Sequence, residues 1–270
     1  MRNREAEPLA GVRVVVTRAA EQAEELMRAL AAAGARAEAL PLLEVVPPGD
    51  PGPLARAAAE LGRYDWVVFT SANAVRAFVP LAGGTLPAGV RVAAVGEATA
   101  TVLRELGIET QLQTDQTGGR AAAAGSLGAA GLLAALAPLV GGRRVLLPQA
   151  ADALPTLREG LIAAGARLDT LIAYDKRLPA AAPARASELF SASPLGWVTF
   201  TSPRIVRHFA DLFGPDWPRR RPELLAASIG AVTSVELRRH AVEPSAEALR
   251  PSDRELVTAI CAAVLRNTRT

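Results

Sequence analysis

The chain is written twice. The stretch Tyr64–Phe78, YDWVVFTSANAVRAF, recurs as Leu195–Phe209, LGWVTFTSPRIVRHF, so that residue 69 falls on residue 200, an offset of 131. The same offset carries Gly11–Ala35 onto Gly142–Ala166, and Val92–Leu106 matches Ala226–His240 at an offset of 134. Three blocks in one order, with nearly constant spacing, form a repeat of domain size, far longer than the period of a solenoid. Such a chain builds two similar lobes, and the space between two lobes is a common place to bind a ligand.

Composition narrows what the lobes contain. Half of the 270 residues are hydrophobic but only 4% are aromatic, so the cores rest on Ala, Val and Leu. Lys and Arg exceed Asp and Glu by 30 to 27, and Lys176 is the single lysine. No block of five like charges occurs and aromatics are not interleaved with basic residues, which argues against a nucleic-acid partner. A sequence pI near 9.7 favours a small anionic ligand through long-range steering. The lone Cys261, on a late apolar helix stripe, reads as a core residue and excludes an internal disulfide framework. The opening MRNREAEPLA lacks the apolar core of a secretory signal. Ala121–Gly142 is uncharged and long enough to span a bilayer, but it is rich in Ala and Gly and contains Pro138. It reads as an insertion followed by a short buried helix around Leu132–Leu136, and the protein is expected in the cytoplasm.

Each copy opens with an apolar run, Val12–Val16 or Arg144–Leu147, followed by a helical pattern. In Glu21–Ala33 the pair Leu26 and Leu30 falls at i and i+4, and Gly34 or Gly165 then stops the helix. Trp66–Phe69 and Trp197–Phe200 read as buried strands that run through Thr-Ser into helices. Val90–Val95 and Ala226–Ile229 read as strands ending at Gly96 and Gly230, each of which opens another helix. Alternating strands and helices with continuously apolar strands predict parallel sheets covered on both faces. Ser252 and Glu255 have capping-box spacing before the last helix. The extended segments Arg36–Val46 and Arg167–Arg177 occupy equivalent places, and we expect them to pair antiparallel as a two-stranded hinge that sends the chain from one lobe to the other.

Ligands of open α/β sheets bind at the carboxyl ends of the strands. Four such places carry hydroxyls: Thr70-Ser71, Thr201-Ser202, Thr99 and Thr233. Two readings stand side by side. These residues cap their helices, or they form an anion-binding face with the helix N-termini. Standard phosphate-loop, zinc-protease and nucleophile-elbow motifs are absent. His208 and His240, the two histidines, sit on Arg-bearing helices and read as solvated faces. Tyr174, on the expected hinge, is either a proton donor to a leaving group or a packing tyrosine with its hydroxyl tied down. Leu43 takes its place in the other copy, so the repeat is chemically asymmetric there.

Taken together, GVRVVVTR, WVVFTSANAVRAF, AVGEATA, the tyrosine of LIAYDKR, FTSPRIV and SIGAVTS resemble the uroporphyrinogen-III synthase family, in order along nearly the whole chain. The resemblance implies an α/β fold of two flavodoxin-like parallel-sheet domains joined by a two-stranded antiparallel β-ladder. Residues 1–37 plus 178–270 would form one discontinuous lobe and 47–166 the other, with 38–46 and 167–177 as hinge strands. The Ala/Gly-rich insertion, 117–131, is longer than the family usually carries. The family takes hydroxymethylbilane, a polycarboxylate, removes water and closes the macrocycle with the last pyrrole ring inverted through a spiro intermediate. It serves tetrapyrrole biosynthesis. No metal or organic cofactor, no nucleic acid and no membrane is implied, and the expected state is a monomer. The resemblance makes Tyr174 catalytic and assigns substrate binding to Thr17, Arg18, Ser71, Ala72, Gly96, Thr99, Ser202, Pro203, Gly230 and Thr233. The alternative is a non-catalytic two-lobed tetrapyrrole-binding or regulatory protein using the same cleft. A regulator would usually append a DNA-binding domain, and none is expected after the C-terminal helix.

Overall fold

The computed structural model describes residues 7–114, 128–191 and 196–267. The chain divides into two compact units, Met1–Glu44 with Arg177–Thr270, and Val45–Lys176. Each is built around its own sheet.

The sheet of the first unit contains β1 (Arg13–Val16), β2 (Arg36–Ala39), β9 (Trp197–Phe200), β10 (Leu225–Ser228) and β11 (Ala246–Glu247), in the order β11-β10-β9-β1-β2. Every pair in it is parallel. The second sheet contains β3 (Glu44–Val46), β4 (Trp66–Phe69), β5 (Arg91–Val95), β6 (Leu112–Thr114), β7 (Arg144–Ala150) and β8 (Arg167–Arg177), in the order β3-β8-β7-β4-β5-β6. Leaving β3 aside, the two orders are the same once β7 is set on β1 and β4 on β9. The second unit is therefore a circular permutation of the first, entered at its third strand. The duplication extends to the register: Arg13 pairs with Arg36 and Arg144 with Arg167, both members displaced by 131. Val14 likewise pairs with Trp197 where Val145 pairs with Trp66.

The short central strands β4 and β9 are fully buried because both of their faces are covered. Alternate residues of a strand point to opposite faces, and the cores follow that alternation. Val67 and Phe69 pack with Leu54 of α2 (Gly52–Ala59), Val75 of α3 (Ala72–Phe78) and Leu103 of α4 (Glu97–Glu105). Trp66 and Val68 face the other way, against Leu132 of α5 (Gly128–Leu136) and Leu161 of α6 (Thr156–Ala163). The first unit repeats the plan. Val15, Val198 and Phe200 meet α7 (Ala182–Ser191), α8 (Pro203–Phe213), α9 (Trp217–Arg220) and α10 (Ala231–Arg239). Val14 and Val16 meet Leu26 and Leu30 of α1 (Ala20–Ala32) and Ile260 of α11 (Asp253–Asn267). Each such buried Leu, Val or Phe contributes about 1.5–3 kcal/mol.

The glycine stops are present: Gly34 has φ +91° and Gly165 has φ +81°, both in the left-handed region that ends helices. Ser252 Oγ accepts from the Glu255 N–H at 3.2 Å, opening α11 as its spacing predicted. Cys261 is half-buried against the α1–α11 core, and burial pushes its thiol pKa up. The expected helix near Leu132–Leu136 is α5, while residues 115–127 of the Ala/Gly-rich insertion and the opening residues 1–6 lie outside the described residues. Among the described residues no helix is long and apolar enough to cross a membrane.

The connector 38–46 departs from the single hinge strand expected of it. It divides into the end of β2, a non-strand stretch and β3, and β3 is the edge strand beside β8. Pro41 has no N–H to give a ladder. The residues either side of it donate instead to β1 and its end, Leu40 N–H to Val16 O at 2.9 Å and Leu42 N–H to Thr17 O at 3.0 Å. Leu40 and Leu42 are thereby buried in the core of the first unit.

Candidate functional site

In both sheets the strand order reverses at one point, between β1 and β9 and between β7 and β4. The carboxyl ends around such a reversal form the crevice where doubly wound sheets take ligands. Topology brings the candidate residues of each unit to that edge. Thr17 and Arg18 leave β1, Ser202 and Pro203 leave β9, and Gly230 leaves β10, which are adjacent strands. In the second unit Ser71 and Ala72 leave β4, Gly96 leaves β5, and Tyr174 lies two strands from β4 on β8.

Tyr174 reaches Ser71 because β8 carries a bulge. Gln149 pairs with Ile172, but its neighbour Ala150 pairs with Tyr174, leaving Ala173 as an extra residue. A bulge of this kind re-aims side chains and is uncommon between parallel strands. Its consequence is that Ala173 and Tyr174, adjacent in sequence, both enter the same core, while Ile172 is half-exposed. Tyr174 is 4% exposed, and its Oη lies 3.0 Å from Ser71 Oγ. Ser71 is the extended N-cap of α3, and its Oγ accepts from the Ala74 N–H at 3.2 Å. The Tyr174 carbonyl accepts from the Ala151 N–H at 3.0 Å. Lys176, two residues on, sets its ammonium over the Tyr174 ring, 5.6 Å from the centroid, and pairs with Asp152 at 3.5 Å.

The corresponding edge of the first unit is more polar. The Thr17 hydroxyl is buried and donates to the Thr199 carbonyl across β1 and β9, while Thr199 Oγ donates back to Val15 O at 3.4 Å. Arg18 is held by Asp253 at 2.7 Å and by Gln22 Oε1 at 3.1 Å, with about a quarter of its side chain exposed. Ser202 caps α8 through Ile205 N–H at 3.3 Å, and Pro203 fills the first helical position, where no N–H is needed. Thr99 and Thr233 occupy the third positions of α4 and α10, and both are buried. Ser228 Oγ accepts from Gly230 N–H at 3.3 Å and stands 2.9 Å from Ser234 Oγ, which also contacts the Glu247 carboxylate.

The duplicated helix starts differ in charge. Glu97 opens α4 with its own carboxylate, and hydrogen bonds from Gln113 and Arg104 hold that carboxyl below its usual pKa. An acid in the first turn already uses the helix dipole there. Ala231 stands in its place on α10, whose first turn carries no acidic residue.

The histidines are not on solvated faces. His208 Nδ1 is 2.6 Å from Leu42 O, which the Pro41 kink brings to α8, and His240 lies 3.8 Å from the buried Glu236, itself paired with Arg207 and Arg239. Sequence reasoning also missed Lys176, Asp152 and Asp253. Only for Lys176 was there a signal, since i and i+2 on a strand share a face.

The comparisons with known proteins converge. A family model described as uroporphyrinogen-III synthase HemD matches residues 24–258. Uroporphyrinogen-III synthase from Synechococcus elongatus is 31% identical over 240 residues, covering 85% of this chain and 86% of that protein. In fold, the chain is similar to a mutant uroporphyrinogen III synthase from the extremely thermophilic bacterium Thermus thermophilus, with a TM-score of 0.62 at 19% identity over 94% of this chain and 99% of that one. It is also similar to uroporphyrinogen-III synthetase from Helicobacter pylori, with a TM-score of 0.58 at 18% identity over 93% and 99%.

Proposed function

Because the chain belongs to the uroporphyrinogen-III synthase family, an enzyme family of haem biosynthesis, we propose that it converts hydroxymethylbilane to the type III macrocycle, with loss of water and inversion of the last ring. The observation that carries the mechanism is the Ser71–Tyr174 contact of 3.0 Å at the carboxyl edge of the second sheet. Ser71 Oγ has one proton and two lone pairs. With one lone pair taken by the Ala74 N–H, it can donate its proton to the phenol oxygen, which frees the phenolic O–H for a ligand.

Tyr174 then gives that proton to the departing hydroxyl, the C–O bond breaks, and water leaves. The cation left on the bilane is attacked by the substituted carbon of the last pyrrole ring, giving the spiro intermediate. Bond breaking there and closure at the alternative carbon release the ring inverted, and the proton which that carbon loses returns to the Tyr174 phenolate, restoring the phenol. The reactants supply both nucleophile and electrophile, so the protein mainly orients them, an effect worth up to about 7–11 kcal/mol. Orientation falls to groups that suit carboxylates: in the first unit Arg18 and the starts of α8 and α10, with Thr17, Pro203, Gly230 and Thr233 at its carboxyl edge, and in the second unit Ala72, Gly96 and Thr99 at its own carboxyl edge. A monomeric, cytoplasmic enzyme completes this reading, and size-exclusion chromatography with light scattering checks the monomer.

The test is direct. Purified protein is incubated with hydroxymethylbilane, and the products are oxidised and separated as type I and type III uroporphyrins. Type III in excess is expected. Type I alone, at the rate of the protein-free control, would end the proposal.

A further inference from the structure

We propose that Lys176 is a positioning residue for Tyr174, holding the phenol ring where its hydroxyl meets Ser71 and the departing group; this rests on Tyr174 being the proton donor. Three independent contacts fix the tyrosine. The Ala151 N–H holds its carbonyl at 3.0 Å, the Ser71 hydroxyl meets its Oη at 3.0 Å, and the Lys176 ammonium covers its ring face at 5.6 Å from the centroid. Core packing and the two end contacts still leave the ring able to turn about its Cβ–Oη axis, and because a phenolic O–H lies in the ring plane, that turn swings the donated proton away from the departing group.

The cation is itself held. Asp152 lies on the turn whose Ala151 N–H bonds to Tyr174, and it pairs with the ammonium at 3.5 Å. Strand alternation supplies the reach, since residues 174 and 176 project from the same face of β8 beyond the bulge. Lys176 is the chain's single lysine, whereas every other Lys/Arg position is arginine, and its counterpart in the other copy is Val45. A compact ammonium presents a point charge to a ring face where a guanidinium would stack flat and broad.

A competing role is direct capture of a substrate carboxylate, and kinetics separates the two. Removing uniform substrate binding raises KM with kcat unchanged, whereas disturbing a group that acts in the transition state lowers kcat. The experiment measures kcat and KM with hydroxymethylbilane for Lys176→Met, Lys176→Arg, Tyr174→Phe and the Lys176→Met/Tyr174→Phe double variant, each checked for a native melting transition. Lys176→Gln serves as the uncharged variant if Lys176→Met does not fold. We expect Lys176→Met to lower kcat about three- to tenfold with KM changed by less than about twofold. Lys176→Arg keeps a cation at the ring but stacks it flat, so it retains only part of the rate, between that of the parent and that of Lys176→Met, and Lys176→Met has no further effect once Tyr174 is Phe. A raised KM at unchanged kcat overturns the inference, as does an equal loss of kcat in the Tyr174→Phe background. Full turnover by Tyr174→Phe alone overturns the donor reading itself and the inference with it, a result distinct from either of the others.

Discussion

The repeat supplies its own control for the contact at the centre of the site. Ser71 and Ser202 are equivalent N-caps, each accepting one backbone N–H, from Ala74 at 3.2 Å and from Ile205 at 3.3 Å. Replacing either by Ala removes a cap worth about 1 kcal/mol. Ser71 alone has a second partner, Tyr174 Oη at 3.0 Å in a part-buried setting, and a hydrogen bond of that kind adds about 0.5–1.5 kcal/mol. Ser202→Ala should therefore cost about 1 kcal/mol and Ser71→Ala about 1.5–2.5 kcal/mol. For a protein of this size each kcal/mol moves Tm by about 2–4 °C. Urea unfolding at 25 °C of both variants, alone and combined with Tyr174→Phe, isolates the pair. Coupling of about 0.5–1.5 kcal/mol is expected between positions 71 and 174 and none between 202 and 174. Equal losses for the two serines, with coupling indistinguishable from zero, would refute the reasoning.

Two further predictions use the same logic. A Cβ at Gly34 would stand 3.1 Å from Ala10 N and 3.3 Å from Ala10 Cα, whereas at Gly165 it would meet only Gly141 Cα at 3.7 Å. Both alanine variants bear left-handed strain of about 1–2 kcal/mol, but Gly34→Ala adds overpacking of about 1–3 kcal/mol and should have the lower denaturation midpoint. The Arg13 hydrogen bond, aided by Arg36 and Arg185, holds the Glu38 carboxyl below its ordinary value of 4.5. A depressed carboxylate contributes stability that is present above the unfolded value and lost as pH falls through the folded one. Glu38→Gln should thus be less stable than the parent at pH 7, and the difference should shrink steadily below pH 4.5; a gap unchanged at pH 3 would exclude the linkage.

Much of this protein was legible from its residues because the relevant forces are local or periodic. Short runs such as WVVF and WVTF, apolar but for Thr199, read as strands covered on both sides. Glycines at 34 and 165 end helices because they accept φ values that other residues resist. The Ser71 and Ser202 caps follow from hydroxyls placed just before helices. Where the reading departed from the structure, a neighbour distant in sequence had decided the matter. His208 looked solvated until Leu42, 166 residues away, presented its carbonyl. The connector 38–46 was expected to be one strand, but the ends of β1 offered acceptors to the residues flanking Pro41.

By itself the sequence determined that there are two homologous units, parallel and doubly wound, and which residues stand at the carboxyl ends of their strands. An internal repeat with hydrophobic strands leaves little else to build. Tertiary structure decided what those residues do there. The bulge at Ala173 turns Tyr174 into the core, Ser71 meets its hydroxyl, and Asp253 holds Arg18. None of these follows from periodicity. Register shifts and pairings across a hundred or more residues depend on how the strands finally pack, and a one-residue change in pairing redirects a side chain from one face of a sheet to the other.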